Sequence, residues 1–164
     1  MTETIRIRPA RTGDVAAIKT LVAPLADQRI LMAKETVAYY ESLQEFRIAE
    51  AADGEVIGCG ALHVMWEDLA EVRTLATSDA WRGKGVGHLL VERLLDDARA
   101  LGISRVFCLT FEVEFFKKHG FDVMADQTAV DRWCTRSSCA RMTRALPNSW
   151  TSRGSSRIRW ATPG

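Results

Sequence analysis

The stretch Arg82-Gly83-Lys84-Gly85-Val86-Gly87-His88 decides how this 164-residue chain is read. It follows a short apolar run, Val72 to Ala76, that predicts a strand. It opens a segment in which Val86, Leu89, Leu90, Leu94, Leu95, Ala98 and Leu101 recur at helical spacing. Strand, glycine-rich turn and helix together make the geometry of a phosphate cradle. Glycines at 83, 85 and 87 carry no Cβ to hold a ligand off the backbone. The first-turn amides of a helix have no intrahelical acceptor, and the helix dipole adds about half a positive charge there. The turn therefore predicts an anion site on residues 83 to 88, suited to a pyrophosphate.

The spacing excludes two common phosphate motifs. A P-loop needs four residues between its glycines and then Gly-Lys-Ser/Thr. The dinucleotide fingerprint needs G-x-G-x-x-G after an opening β-α-β unit, and no such unit precedes residue 82.

Working outward, Ile5-Arg6-Ile7-Arg8 alternates as a half-buried strand does, and Pro9 ends it. Thr12-Gly13-Asp14 caps a helix carrying Val15, Ile18, Leu21 and Val22, which Pro24 weakens. Glu35 to Leu43 reads as a second helix, with Val37, Tyr40 and Leu43 on its apolar side. Phe46–Ala51 and Val56–Met65 read as strands joined by a turn containing Asp53-Gly54. Leu69–Thr77 is the next strand. After the long helix, Gly102 is a stop and Val106–Phe111 a buried strand. Phe115 to His119 gives a short helix, and a strand begins at Phe121. The order β-α-α-β-β-β-α-β-α-β predicts an α/β (α+β) fold: a mixed sheet with helices on both faces.

Length and composition bound the rest. The chain suits one domain with a sizeable core. No run approaches the roughly 18 apolar residues of a membrane span, and Met1-Thr2-Glu3-Thr4 lacks a signal pattern, so a cytoplasmic location is expected. Cys59 and Cys108 sit in apolar runs as small hydrophobes. With Cys134 and Cys139 they make no zinc-ligand spacing, so no metal is expected.

Arg82-x-x-Gly85-x-Gly87 after a strand resembles the acetyl-CoA pyrophosphate loop of the GCN5-related N-acetyltransferase (GNAT) family. Val56-Ile57-Gly58-Cys59-Gly60-Ala61-Leu62 and Glu71-Val72-Arg73-Thr74-Leu75-Ala76 resemble its third and fourth strands, and Phe116-x-x-x-Gly120-Phe121 its closing Tyr-x-x-x-Gly-Phe. The resemblance runs to about residue 132 and implies the GNAT fold, with a mostly antiparallel sheet. Gly58 to His63, Trp66 to Val72, and Thr110-Phe111 are closest to the short, free-standing enzymes of the N-acetylglutamate synthase type. That implies direct transfer from acetyl-CoA, in a ternary complex, to the α-amine of glutamate or glutamine, the first step of arginine biosynthesis. Phe116 departs from the family tyrosine that protonates the leaving thiolate, and phenylalanine has no proton to give.

The resemblance places acetyl-CoA on Leu75, Ala76, Thr77, Arg82, Gly83, Lys84, Gly85, Val86, Gly87 and His88. Glu71, beside the expected thioester, is the candidate general base; the α-ammonium near pKa 8 needs only a modest one. Glu112 and Glu114 are second choices. Lys34, where such enzymes place a basic residue, and Arg73, on the same strand face as Glu71, are candidates for substrate carboxylates. Arg73 could instead pair with Glu71 or Glu67, and Lys34 could be an ordinary exposed lysine. His63 reads as a hydrogen-bonded structural residue. Cys59 and Cys108 have no partner base and are not taken as nucleophiles.

The expected partner is a small amino acid, with neither nucleic acid nor membrane, and a homodimer is the assembly to consider. Alternative readings are an acetyltransferase for a protein N-terminus or a polyamine, or an acetyl-CoA-binding sensor without turnover. Residues 1–132 are read as the acetyltransferase domain. Residues 133–164 are an atypical basic tail: six arginines (136, 141, 144, 153, 157 and 159), no acid, and three of the chain's five tryptophans. With codons chosen freely at the wobble base, a frame two bases on can encode an acidic, helix-forming end like that of the synthase-type enzymes. The tail is therefore read as a frame-shifted C-terminus, expected to supply no strand to the sheet.

Overall fold

The computed structural model describes residues 4–28, 30, 31, 34–124 and 140–146. Its elements are β1 (Arg6–Pro9), α1 (Val15–Asp27), α2 (Thr36–Glu41), β2 (Phe46–Glu50), β3 (Val56–Trp66), β4 (Leu69–Thr77), α3 (Val86–Ala100), β5 (Arg105–Thr110), α4 (Val113–Lys117), β6 (Asp122–Val123) and β7 (Ala140–Ala145). One sheet runs in the order β1-β2-β3-β4-β5-β7-β6. Among the described residues only β4 and β5 pair in parallel, because α3 crosses between them; the other neighbouring pairs there are antiparallel.

The two faces of the sheet have separate cores. Val15, Ile18 and Val22 of α1 pack with Tyr39 on Phe46, Ile48, Cys59, Ala61 and Ala76. On the other face Val91, Leu94, Leu95 and Ala98 of α3 meet Leu62, Ala70, Val72, Val106 and Cys108. The α3 stripe differs in detail from the sequence reading. Val91 is buried, whereas Leu89 and Leu101 are exposed: Leu89 lies on the helix side away from Leu90, Leu94 and Ala98, and Leu101 caps α3 beyond its last residue, Ala100. On α2 the buried ring is Tyr39, and Val37 and Tyr40 face outward; six residues give that helix too little length for its period to be read. Pro24 lies inside α1 without ending it.

The expectation that nothing past residue 132 enters the sheet is overturned, and the boundary there cuts through the sheet. β7 pairs with β5 from Arg105–Ala145 to Thr110–Ala140. It also holds β6, and Met142 and Leu146 are buried in the α3 core. The physical reason lies in β5: Val106, Phe107 and Cys108 are all buried, and an apolar strand of this kind leaves a hazardous bare edge unless covered. A strand from the tail counts against the out-of-frame reading. Cys134, Cys139, the three tail tryptophans and Arg136, Arg153, Arg157 and Arg159 lie outside the described residues.

Candidate active site

The site begins with a defect in β4. Cys59 pairs with Ala76 and Ala61 with Arg73, so Thr74 and Leu75 together oppose the single residue Gly60. This is a β-bulge, which bends the strand that carries it. Thr74 has φ 56 and is the one described non-glycine residue with positive φ. A Cβ on Gly60 would lie 3.1 Å from the side chains of both Leu75 and Leu94, so the glycine opposite the bulge lets these leucines pack close to the strand. β4 and β5 pair only from Leu69–Arg105 to Val72–Cys108 and then part.

Where they part, a cleft of about 620 Å³ opens, walled by residues 72 to 77 of β4, by Leu109 to Glu112, and by the glycine turn. Ser78 begins a short 3-10 turn, and Gly85 caps α3 at φ 85. An L side chain rarely adopts that conformation. A Cβ built on Gly83 or Gly85 meets no atom within 4 Å, so open space lies before the first-turn amides of α3. A phosphodiester fits there, and the parted strands suit an extended arm with amide groups, so the residues present match coenzyme A.

Leu75, Ala76, Thr77, Arg82, Gly83, Gly85, Val86, Gly87 and His88 line the cleft, as does Arg73. Lys84 does not: its Nζ lies 4.4 Å from the centre of the Trp81 ring. Arg82 pairs with Asp79 at 2.9 Å, both largely exposed.

Past the inner end of the cleft, Lys34, Glu45, His63, Glu71 and Arg73 form a cluster of charges. Arg73 pairs with neither Glu71 nor Glu67. Its Nη2 donates to Glu45 Oε2 at 2.7 Å, while its buried Nε has no acceptor among the described residues. Glu45 Oε1 lies 2.7 Å from His63 Nδ1, so His63 is hydrogen-bonded as expected. Glu45 was missed by the sequence reading. It closes a 3-10 turn just before β2, and only the pairing of β2, β3 and β4 brings it across to Arg73. Burial pushes the Glu71 carboxyl up from its ordinary value, against the pull of Arg73, His63 and Lys34. Burial, with Arg73 nearby, pushes the Lys34 ammonium down. A carboxylate raised in this way is a better proton acceptor near neutral pH.

Phe116 is buried and edge-on to Phe115 and Phe121. Glu112 lines the cleft, and Glu114 turns outward to Lys117 at 2.8 Å. Burial pushes the Cys59 thiol up to about 12, so it is no nucleophile. Among the described residues no three His, Cys, Asp or Glu side chains could hold a metal ion together. No helix among them is long and apolar enough to cross a membrane.

Residues 19–121 match the family described as acetyltransferase (GNAT) family. The chain belongs to that family. It is 56% identical over 117 residues to an amino-acid acetyltransferase of Mycobacterium tuberculosis, covering 70% of this chain and 67% of that one. It is 36% identical over 124 residues to an amino-acid acetyltransferase of Neisseria meningitidis, covering 74% of this chain but 28% of that protein. Among solved structures, Rv2747 of Mycobacterium tuberculosis in complex with CoA and NLQ superposes with TM-score 0.77 at 42% identity, covering 87% of this chain and 99% of that one. N-acetylglutamate synthase of Neisseria gonorrhoeae, complexed with coenzyme A and N-acetyl-glutamate, gives 0.80 at 30%, covering 88% and 35%. The GNAT fold, the acetyl-CoA co-substrate and the acetyltransferase class inferred from the glycine turn therefore hold for this chain.

Proposed function

We propose that the chain acetylates the α-amine of glutamate or glutamine with acetyl-CoA, the first step of arginine biosynthesis. The observation that carries the reading is the pairing of a coenzyme-shaped cleft with fixed charges at its inner end. Arg73 has a buried Nε with no acceptor among the described residues, suited to one oxygen of a substrate carboxylate. Lys34 is a second cation in the same cluster. The relatives' names and the N-acetyl-glutamate bound to the gonococcal structure point to the same acceptor class.

When bound, the coenzyme supplies a thioester carbonyl to the amine's lone pair. Every other role falls to the chain. Glu71 takes the ammonium proton, its carboxyl raised toward the working pH. Arg73 and Lys34 hold the acceptor's carboxylate so that its amine faces the parted strands. Phe116 offers no proton, so the thiolate departs without a tyrosine acid. A cytoplasmic setting goes with this reading, because a polyanionic coenzyme does not cross a bilayer unaided; a homodimer is the assembly that sedimentation should test.

The test is thiol release from acetyl-CoA against each of the twenty amino acids, a polyamine and a peptide with a free N-terminus. Turnover with glutamate or glutamine is expected. Turnover with the polyamine or peptide instead would overturn the acceptor assignment. Tight coenzyme binding with no turnover on any amine would favour a sensor.

A further inference from the structure

Beside the phosphate turn stand two imidazoles with no part in the chemistry above. His88, in the first turn of α3, lines the cleft. Its Nδ1 lies 2.7 Å from Nε2 of His119, just past α4. His119 Nδ1 lies 3.1 Å from Oε1 of Glu92, one turn further along α3. Phe115 packs against both rings, its centre 4.8 Å from His88 and 5.3 Å from His119. His119 is 6% exposed, whereas the Glu92 side chain is 65% exposed. The three residues thus run from solvent, through a buried ring, to the cleft wall.

Their hydrogen bonds fix the protons. A carboxylate only accepts, so His119 Nδ1 carries a hydrogen toward Glu92. Burial favours the neutral form of His119, which leaves its Nε2 as a lone pair. His88 Nδ1 must then carry the hydrogen between the rings. With both rings neutral, His88 Nε2 is unprotonated and the three residues carry a net charge of −1, beside a turn built for an anion. One added proton cancels that charge and makes His88 Nε2 a donor.

We propose that the Glu92–His119–His88 chain couples coenzyme binding to uptake of one proton, so that a His88 imidazolium joins the amides of residues 83 to 88 in holding the phosphates. The proposal rests on the acetyl-CoA reading of the cleft. The surrounding charges agree with it. Arg82 is engaged by Asp79, Lys84 sits over Trp81, and Lys117 of α4 is paired with Glu114. Glu112 lines the same cleft. From β7, the Arg144 guanidinium donates to the His119 carbonyl and disfavours a proton on that ring. The hydrogen bonds leave His88 Nε2, on the cleft wall, as the chain's open nitrogen toward the phosphate turn. The positive end of α3 opposes a cation there until an anion arrives, so proton and ligand bind together.

Calorimetry with dephospho-coenzyme A tests this, because its pyrophosphate does not titrate near neutrality. Titrations at about pH 7.5, in two buffers of different ionisation enthalpy, read the protons taken up. Roughly half a proton or more is expected for the wild type, with affinity falling by up to about tenfold per pH unit above neutrality. His88→Gln should abolish the uptake and flatten the pH dependence. Glu92→Gln, at an exposed position, should leave the three residues neutral and reduce the uptake while stoichiometry stays one to one. Wild-type binding without proton uptake, or equal uptake by His88→Gln, would overturn the proposal while leaving the cleft assignment intact. A wild type that binds neither coenzyme A nor its dephospho form would overturn the cleft assignment and this proposal with it.

Discussion

Replacing Arg73 with glutamine separates its two readings, a grip on the substrate or merely a partner for Glu45. The pair is joined at 2.7 Å between side chains about a quarter exposed. Ion pairs of that exposure contribute about 1 kcal/mol or less to folding, so the variant should remain folded. A single charge-assisted bond from the Arg73 Nε to a substrate carboxylate contributes about 1.5–3 kcal/mol. At about 1.4 kcal/mol per decade, the KM for the amino acid should rise by about tenfold to a hundredfold. The KM for acetyl-CoA should stay within about twofold, because the phosphate site proposed on residues 83 to 88 does not include Arg73. A second readout follows from charge. Arg73 is the foremost of the cations that hold the Glu71 carboxyl down, so its loss should raise that carboxyl further and move the acid limb of the pH–rate profile to higher pH. Steady-state kinetics across pH measures both effects. An acceptor KM within about twofold of wild type, with an unmoved acid limb, would refute the reasoning and reduce Arg73 to a partner of Glu45.

Three further outcomes are expected. Glu71→Gln should lower kcat about a hundredfold or more with little change in the KM for acetyl-CoA; the acid limb, which burial places above the ordinary carboxylate value, should vanish, and an unchanged pH profile would remove Glu71 from the mechanism. Gly85→Val forces a branched side chain to φ 85, at a cost of at least about 1–2 kcal/mol, and should abolish calorimetric binding of acetyl-CoA; wild-type affinity would show the cradle misplaced. Asp14 accepts from Arg8 at 2.7 and 3.0 Å and from the Arg11 amide at 2.7 Å, and Arg8 holds its carboxyl below the usual range. Its stabilisation is therefore complete above the unfolded value of about 3.9 and lost as pH falls through the lower folded value; urea denaturation should find Asp14→Asn about 2 kcal/mol less stable at pH 7, with the gap closing in strong acid.

Most of the fold was legible because its signals are local. The glycine turn, the Asp53-Gly54 hairpin and the long stripe of α3 each announce themselves within a short contiguous stretch, the longest being the 15 residues of α3. The coenzyme end proposed for the candidate site rests on local signals too, since a strand, three glycines and a helix start are contiguous in sequence. The acceptor end was only half visible. Glu71 and Arg73 share a strand face by alternation, but Glu45 reaches them only after three strands have paired. The link between His88 and His119 spans 31 residues and has no periodic signature. The bulge at Thr74 lies within a strand whose buried and half-buried residues alternate without a break, with Gly60 opposite as its one trace. β7 was missed because its basic composition was weighed above the need of β5 for a neighbour.

The central claim is best tested by supplying carbonyl-labelled acetyl-CoA to the chain with an equimolar mixture of glutamate, glutamine, spermidine and a short peptide, and locating the label by mass spectrometry. The account predicts label on the α-nitrogen of glutamate or glutamine. Label on spermidine or the peptide, or its recovery solely as free acetate, would contradict it.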